Sequence, residues 1–139
     1  MTLPRVPAYQ LDANVLLRFL RNDHKDHSPR ASRFIQDANS GKITLEVAAV
    51  TVAEIFYALK AAYKVDRRSV ARTLAAVFNT PAFRLAERVR VLDALARVEH
   101  ANVDFGDGYI AATAAETSRP VASFDRDLDR FVDIQRHEP

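Results

Sequence analysis

Apolar residues fall along this chain in blocks of two kinds. Some recur every third or fourth position, the period of a helix with one buried face. Others form runs of a few residues, too short for a helix and suited to a buried strand. Residues 8–12, "AYQLD", are of the second kind and predict a buried strand with Asp12 at its carboxyl end. "NVLLRFLRN" then places Val15, Leu16, Phe19 and Leu20 at helical spacing, with Arg18 and Arg21 left for solvent. After the polar loop "NDHKDHSP", Ser28 as N-cap and Pro29 in the first turn predict a helix to about Ser40, ended by Gly41. "KITLEVAAV" reads as a second buried strand. Thr51 then caps a helix in which Val52, Ile55, Phe56 and Leu59 share a side.

The helical period returns over 67–79 through Val70, Leu74, Val77 and Phe78, and Pro81 closes it before a short strand at "AFRLA". It returns again over 88–100 through Val91, Leu92, Leu95 and Val98, and in "DFGDGYIAATAAETS", a helix opened by an acidic, glycine-flanked turn. "RPVASFD" is a strand ending at Asp125, and a last short strand lies near "FVDIQ". Strands separated by helices predict an open, mostly parallel sheet with helices on both faces. Ligands in such sheets bind beyond the carboxyl ends of the strands, where the strand order reverses.

With 139 residues, 48% of them hydrophobic, the chain is expected to be one domain over 1–139 behind a short tail, 1–7, carrying Pro4 and Pro7. The opening "MTLPRVPAYQ" lacks a signal peptide's apolar core, and no apolar run approaches the ~18 residues of a membrane helix. Such a chain is read as soluble and cytoplasmic. The absence of Cys excludes disulfides, thiolate metal sites and thiol nucleophiles. The positive charge rests on 16 Arg against 4 Lys, and guanidinium forks match phosphate oxygens, so nucleic acid is a permitted partner.

Four carboxylates fall at strand ends or helix starts: Asp12, Glu54, Asp107 and Asp125. If they converge in one crevice they repel one another by several kcal/mol, on the order expected for screened charges at short range, and need a cation. Hard oxygen donors without Cys or a ligand-spaced His pair suit Mg²⁺ or Mn²⁺, and such a centre suits phosphodiester hydrolysis. Each acid also has a plainer reading. Asp12 fits a helix N-cap, and Glu54 would complete a capping box with Thr51. Asp104 and Asp107 compete for the third position, with Asp107 the expected ligand and Asp104 behind it. Asp125 is preferred for the fourth, with Asp127 in reserve. Asn14 either orients Asp12 or is itself the cap. His24 and His27 read as solvated loop residues. Arg18, Arg21, Arg126 and Arg130 flank the acids in sequence and are candidates for RNA phosphate contacts, beside the alternative of a solvated face.

The segments "LDANVLLRFL", "VTVAEIFYAL", "VDFGDGYIAATA" and "ASFDRDLDRF", in this order over residues 11–131, resemble the PIN-domain ribonucleases, specifically the VapC-type toxins of bacterial toxin–antitoxin pairs. The resemblance implies a three-layer α/β/α fold with a central, mostly parallel sheet of four to five strands. It maps Asp12, Glu54, Asp107 and Asp125 onto the family's metal-binding acids. It further implies Mg²⁺-dependent endoribonuclease activity, a cognate antitoxin covering the site, and a homodimer.

The chain departs from the family pattern at Ala13, where a hydroxyl is common, and at Ser123, which replaces Thr and keeps its hydroxyl. Gly108 stands where Ala is more frequent, a change expected to loosen the first helical turn by up to about 1 kcal/mol. Two other function classes fit less of the pattern. A haloacid-dehalogenase-like phosphatase would use Asp12 as nucleophile but lacks its second acid, because Asn14 stands there. A non-enzymatic α/β binding module would need none of the acids.

Overall fold

The computed structural model describes residues 5–139, so the start of the N-terminal tail, with Pro4, lies outside the described residues. In chain order the elements are β1 (Ala8–Gln10), α1 (Ala13–Arg21), α2 (His27–Asn39), β2 (Thr44–Val47), α3 (Ala49–Ala61) and α4 (Arg67–Phe78). Then follow β3 (Phe83–Leu85), α5 (Arg88–Ala101), α6 (Phe105–Thr117), β4 (Val121–Ala122), a 3₁₀ helix (Arg126–Arg130) and β5 (Arg136–His137). The architecture is the expected three-layer α/β/α, and every strand pairing is parallel.

Among the described residues, five strands are divided between a three-stranded sheet ordered β1-β2-β3 and a two-stranded sheet of β4 and β5. Neither sheet contains the order reversal expected of a single open sheet. β1 pairs through Ala8 with Thr44 and Gln10 with Glu46, and β2 pairs through Leu45 with Phe83. The core lies between sheet and helices, where Leu16, Leu45, Ile55, Phe56, Leu74, Phe78 and Leu95 lose all contact with solvent. The apolar stripe Val52, Ile55, Phe56 and Leu59 of α3 is buried as its spacing predicts.

Several local expectations are corrected. Residues 8–10 form a strand but not a buried one: all three are exposed, because within its sheet β1 is bonded only to β2, and burial begins at Leu11. Thr51 is not the cap of α3. The chain leaves the sheet at Val47 and Ala48 takes the N-cap position, since the helix-forming Ala49 lets the helix start early. Glu54 therefore lies beyond the first turn, and the capping box does not form.

Ser28 is buried inside α2 rather than capping it. Its Oγ accepts a hydrogen bond from the His24 backbone N–H at 3.1 Å, and His24 Nδ1 accepts from the His27 N–H at 2.8 Å. The last strand lies at Arg136–His137, beyond "FVDIQ". Gly108 also has a role its helix propensity does not show. A Cβ there would sit 2.7 Å from the Ala94 carbonyl oxygen, so the missing side chain lets α6 approach the backbone of α5. Among the described residues no helix is long and apolar enough to cross a membrane.

Candidate metal centre

The turn after β4 is built by its own short polar side chains. Ser123 Oγ accepts the Asp125 backbone N–H at 2.9 Å, which turns the chain. Asp125 then caps the 3₁₀ helix by accepting the Asp127 N–H on Oδ1 at 2.9 Å. This bond uses one carboxylate oxygen of Asp125, whose side chain is exposed. Asp107 enters from α6, in whose first turn it is the only acid. Carboxylate oxygens of Asp107, Asp125 and Asp127 lie within 4.8 Å of one another, with Asp125 exposed and the other two half-buried.

The electrostatics of this group are unbalanced. Burial, and after it the charges of Asp125, Asp104 and Asp127, push the Asp107 carboxyl above the usual carboxylate range, and Arg67 opposes them only in part. Asp104, at the N-cap position of α6, is neutralised from outside the group by Lys60 Nζ at 2.6 Å and by Arg67 at 3.6 Å. The helix start is held to α3 by the Gly106 N–H, which donates to the Tyr57 hydroxyl at 3.0 Å.

The family model described as the PIN domain matches residues 9–134. The chain belongs to the PIN domain family. A search among curated proteins returned no match. PIN domains are generally metal-dependent nucleases and bind divalent metals, commonly Mg²⁺. In this PIN domain the donor set fits such an ion. Three hard carboxylates converge without a thiolate, and Asp107, raised chiefly by burial and then by its acidic neighbours, is a carboxylate whose charged form a cation would favour.

The structure brings together some of the acids named from sequence and not others. Asp107 and Asp125 join as expected, and Asp127, the reserve, stands with them. Asp12 and Glu54, both exposed, are not members of that group. Asp12 caps α1, accepting the Asn14 backbone N–H at 3.3 Å, so the cap is Asp12 and not Asn14. The Asn14 side chain lines a groove between α1 and α2 of about 530 Å³, together with Arg18, His27, Arg30 and Phe34.

The four arginines divide by what they touch. Arg18 is half-buried and lies 3.9 Å from Asp23. Arg21 stacks over Tyr63 at 4.3 Å, and Arg126 is exposed. Arg130 donates to backbone carbonyls at the end of α5 and pairs with Asp127. Sequence reasoning missed Lys60 and Arg67. Nothing local marks them, because Lys60 meets Asp104 across 44 positions of the chain.

Proposed function

We propose that this PIN domain is a Mg²⁺-dependent endoribonuclease that hydrolyses RNA phosphodiester bonds, with Mn²⁺ able to substitute, and that it is the toxin of a toxin–antitoxin pair. The observation that carries the nuclease reading is the convergence of Asp107, Asp125 and Asp127 in a chain of a nuclease family. The toxin role, the cognate antitoxin and the homodimer rest on the likeness of the four sequence segments to VapC-type toxins. The same reading takes 1–139 as one domain working in the cytoplasm.

Asp107, Asp125 and Asp127 would hold the ion, and the likeness to VapC-type toxins adds Asp12 and Glu54 as further metal-binding carboxylates. Bound there, a divalent ion offsets charge on a phosphoryl oxygen and lowers the pKa of a water. The chain's own part is positional. Ser123 Oγ holds the Asp125 backbone N–H and the Asp127 N–H holds the Asp125 carboxylate, so less ordering remains to be done when ion and substrate arrive. Lys60 and Arg67 pair with Asp104, so its charge is already balanced by the chain and the donor set that would hold the ion is Asp107, Asp125 and Asp127. Exposed Arg126 and half-buried Arg18 remain available to phosphate oxygens.

The test is cleavage of RNA by the purified protein with Mg²⁺, Mn²⁺ or EDTA. Asp107→Asn and Asp125→Asn should each lower the rate by more than the roughly 10–100-fold typical of losing a supporting partner, with an unchanged circular dichroism spectrum. Full Mg²⁺-dependent cleavage by Asp107→Asn would rule the assignment out. Asp12→Asn and Glu54→Gln, assayed alongside, decide whether the two acids outside the 4.8 Å group take part.

A further inference from the structure

The 3₁₀ helix that carries Asp127 has five residues, less than two turns, too few to set its own orientation against α6. Its last residue, Arg130, reaches out of it. One guanidinium nitrogen donates to the carbonyls of Ala101 at 3.1 Å and Asn102 at 3.0 Å, and the other lies 3.3 Å from Asp127. Ala101 is the last residue of α5, and Asn102 is its left-handed C-cap, with φ 56°. The carbonyls there carry the negative end of the helix dipole and have no partner within the helix, which makes them natural acceptors for a cation. Arg67 holds the same turn as well, donating to the Asn102 carbonyl and to its side-chain oxygen. Two residues after Asn102 the chain reaches Asp104, and α6 then delivers Asp107.

We propose that Arg130 is a positioning residue for the metal centre: its guanidinium clasps the α5–α6 turn to the 3₁₀ helix, and so sets the spacing of Asp107 against Asp125 and Asp127. The inference rests on the metal-site reading given above. It takes the place of the expectation from sequence that Arg130 contacts RNA phosphate, because both terminal guanidinium nitrogens already have partners within the chain. Arg67 is the second half of the same device. It fixes the turn, and Arg130 fixes the short helix to the turn.

The test compares wild type with Arg130→Ala and Arg130→Lys, using Mn²⁺ alone as the probe. Binding is read by the loss of the free-ion electron paramagnetic resonance signal. Arg130→Ala should weaken Mn²⁺ binding about 10–100-fold, the range for losing a partner that orients a ligand. Arg130→Lys, which keeps charge but not the fork, should recover only part of it. Affinity for a single-stranded RNA measured in EDTA should not change.

Unaltered Mn²⁺ affinity in folded Arg130→Ala overturns the proposal, and so does a loss confined to metal-free RNA binding. Backbone hydrogen exchange supplies a readout that needs no metal. The amides of 102–106 and 126–130 should exchange faster together in Arg130→Ala, and exchange that rises in only one of the two segments counts against the clasp. A wild-type protein that binds no Mn²⁺ would sink the metal reading, and the clasp would then be judged on exchange.

Discussion

Asp107 and Gly108 sit side by side in the first turn of α6 and answer to opposite demands. Position 108 must be empty. A Cβ would meet the Ala94 carbonyl oxygen at 2.7 Å and Val98 Cγ2 at 3.1 Å, so Ala is excluded by the neighbouring helix even though it is the better helix former. Gly108→Ala should therefore destabilise the fold by about 1–3 kcal/mol, the range for overpacking, where propensity alone would have it stabilise. Urea midpoints of the two proteins decide the sign. Position 107 must be charged in a place that resists charge. Its folded pKa is raised above the ordinary 3.8, chiefly by burial. The metal-free protein therefore loses stability as pH rises from 3.8 through the raised value. Asp107→Asn removes that cost. In EDTA the variant should be more stable than wild type at neutral pH and should show no such advantage near pH 3, where the acid is protonated in both folded and unfolded chains. A variant less stable than wild type at neutral pH would mean that the carboxylate is satisfied without an ion.

At the scale of elements, the segment from β4 to β5 contrasts with the rest of the chain. It supplies two of the three converging acids, yet its regular structure is two strands of two residues and one five-residue 3₁₀ helix. Guanidinium groups do much of the work that strand pairing does elsewhere. Besides Arg130, Arg97 of α5 forks onto both carboxylate oxygens of Asp133 and lies 5.2 Å from the Phe131 ring. Arg136 binds both oxygens of Asp129 and the Ser123 carbonyl. The Arg97 hydrogen bond holds the Asp133 carboxyl below its ordinary 3.8, so this contribution is complete above that value and disappears as pH falls through the depressed one. Asp133 is half exposed, which limits the effect to under about 1 kcal/mol after solvent screening. Asp133→Asn should lower stability at pH 7 by that modest amount, and the gap should shrink both in acid and in molar salt. A gap that stayed constant in urea titrations under all three conditions would assign it to packing.

Across the whole molecule, what was legible in the sequence follows the range of the interactions responsible. Helix periodicity is local, and α3, α4 and α5 bury faces close to those expected, with Val70, Leu74, Phe78, Val91, Leu95 and Val98 all inside. Strand limits depend on partners far along the chain, which is why β4 and β5 are shorter or later than their apolar runs suggest. The acids at Asp107 and Asp125 were legible because a helix start and a strand end are local signals. Their counter-charges were not, since Lys60 and Arg67 reach Asp104 only through the packing of α3 and α4 around the start of α6. The order of the elements has one more consequence. A growing chain folds from its amino-terminal part at about 5–20 residues added per second. Among the described residues, all six α-helices precede Asp125 and Asp127. For a time on the order of seconds during synthesis, Asp107 is already part of the chain while the two acids that converge on it are not, so this group is the last to assemble.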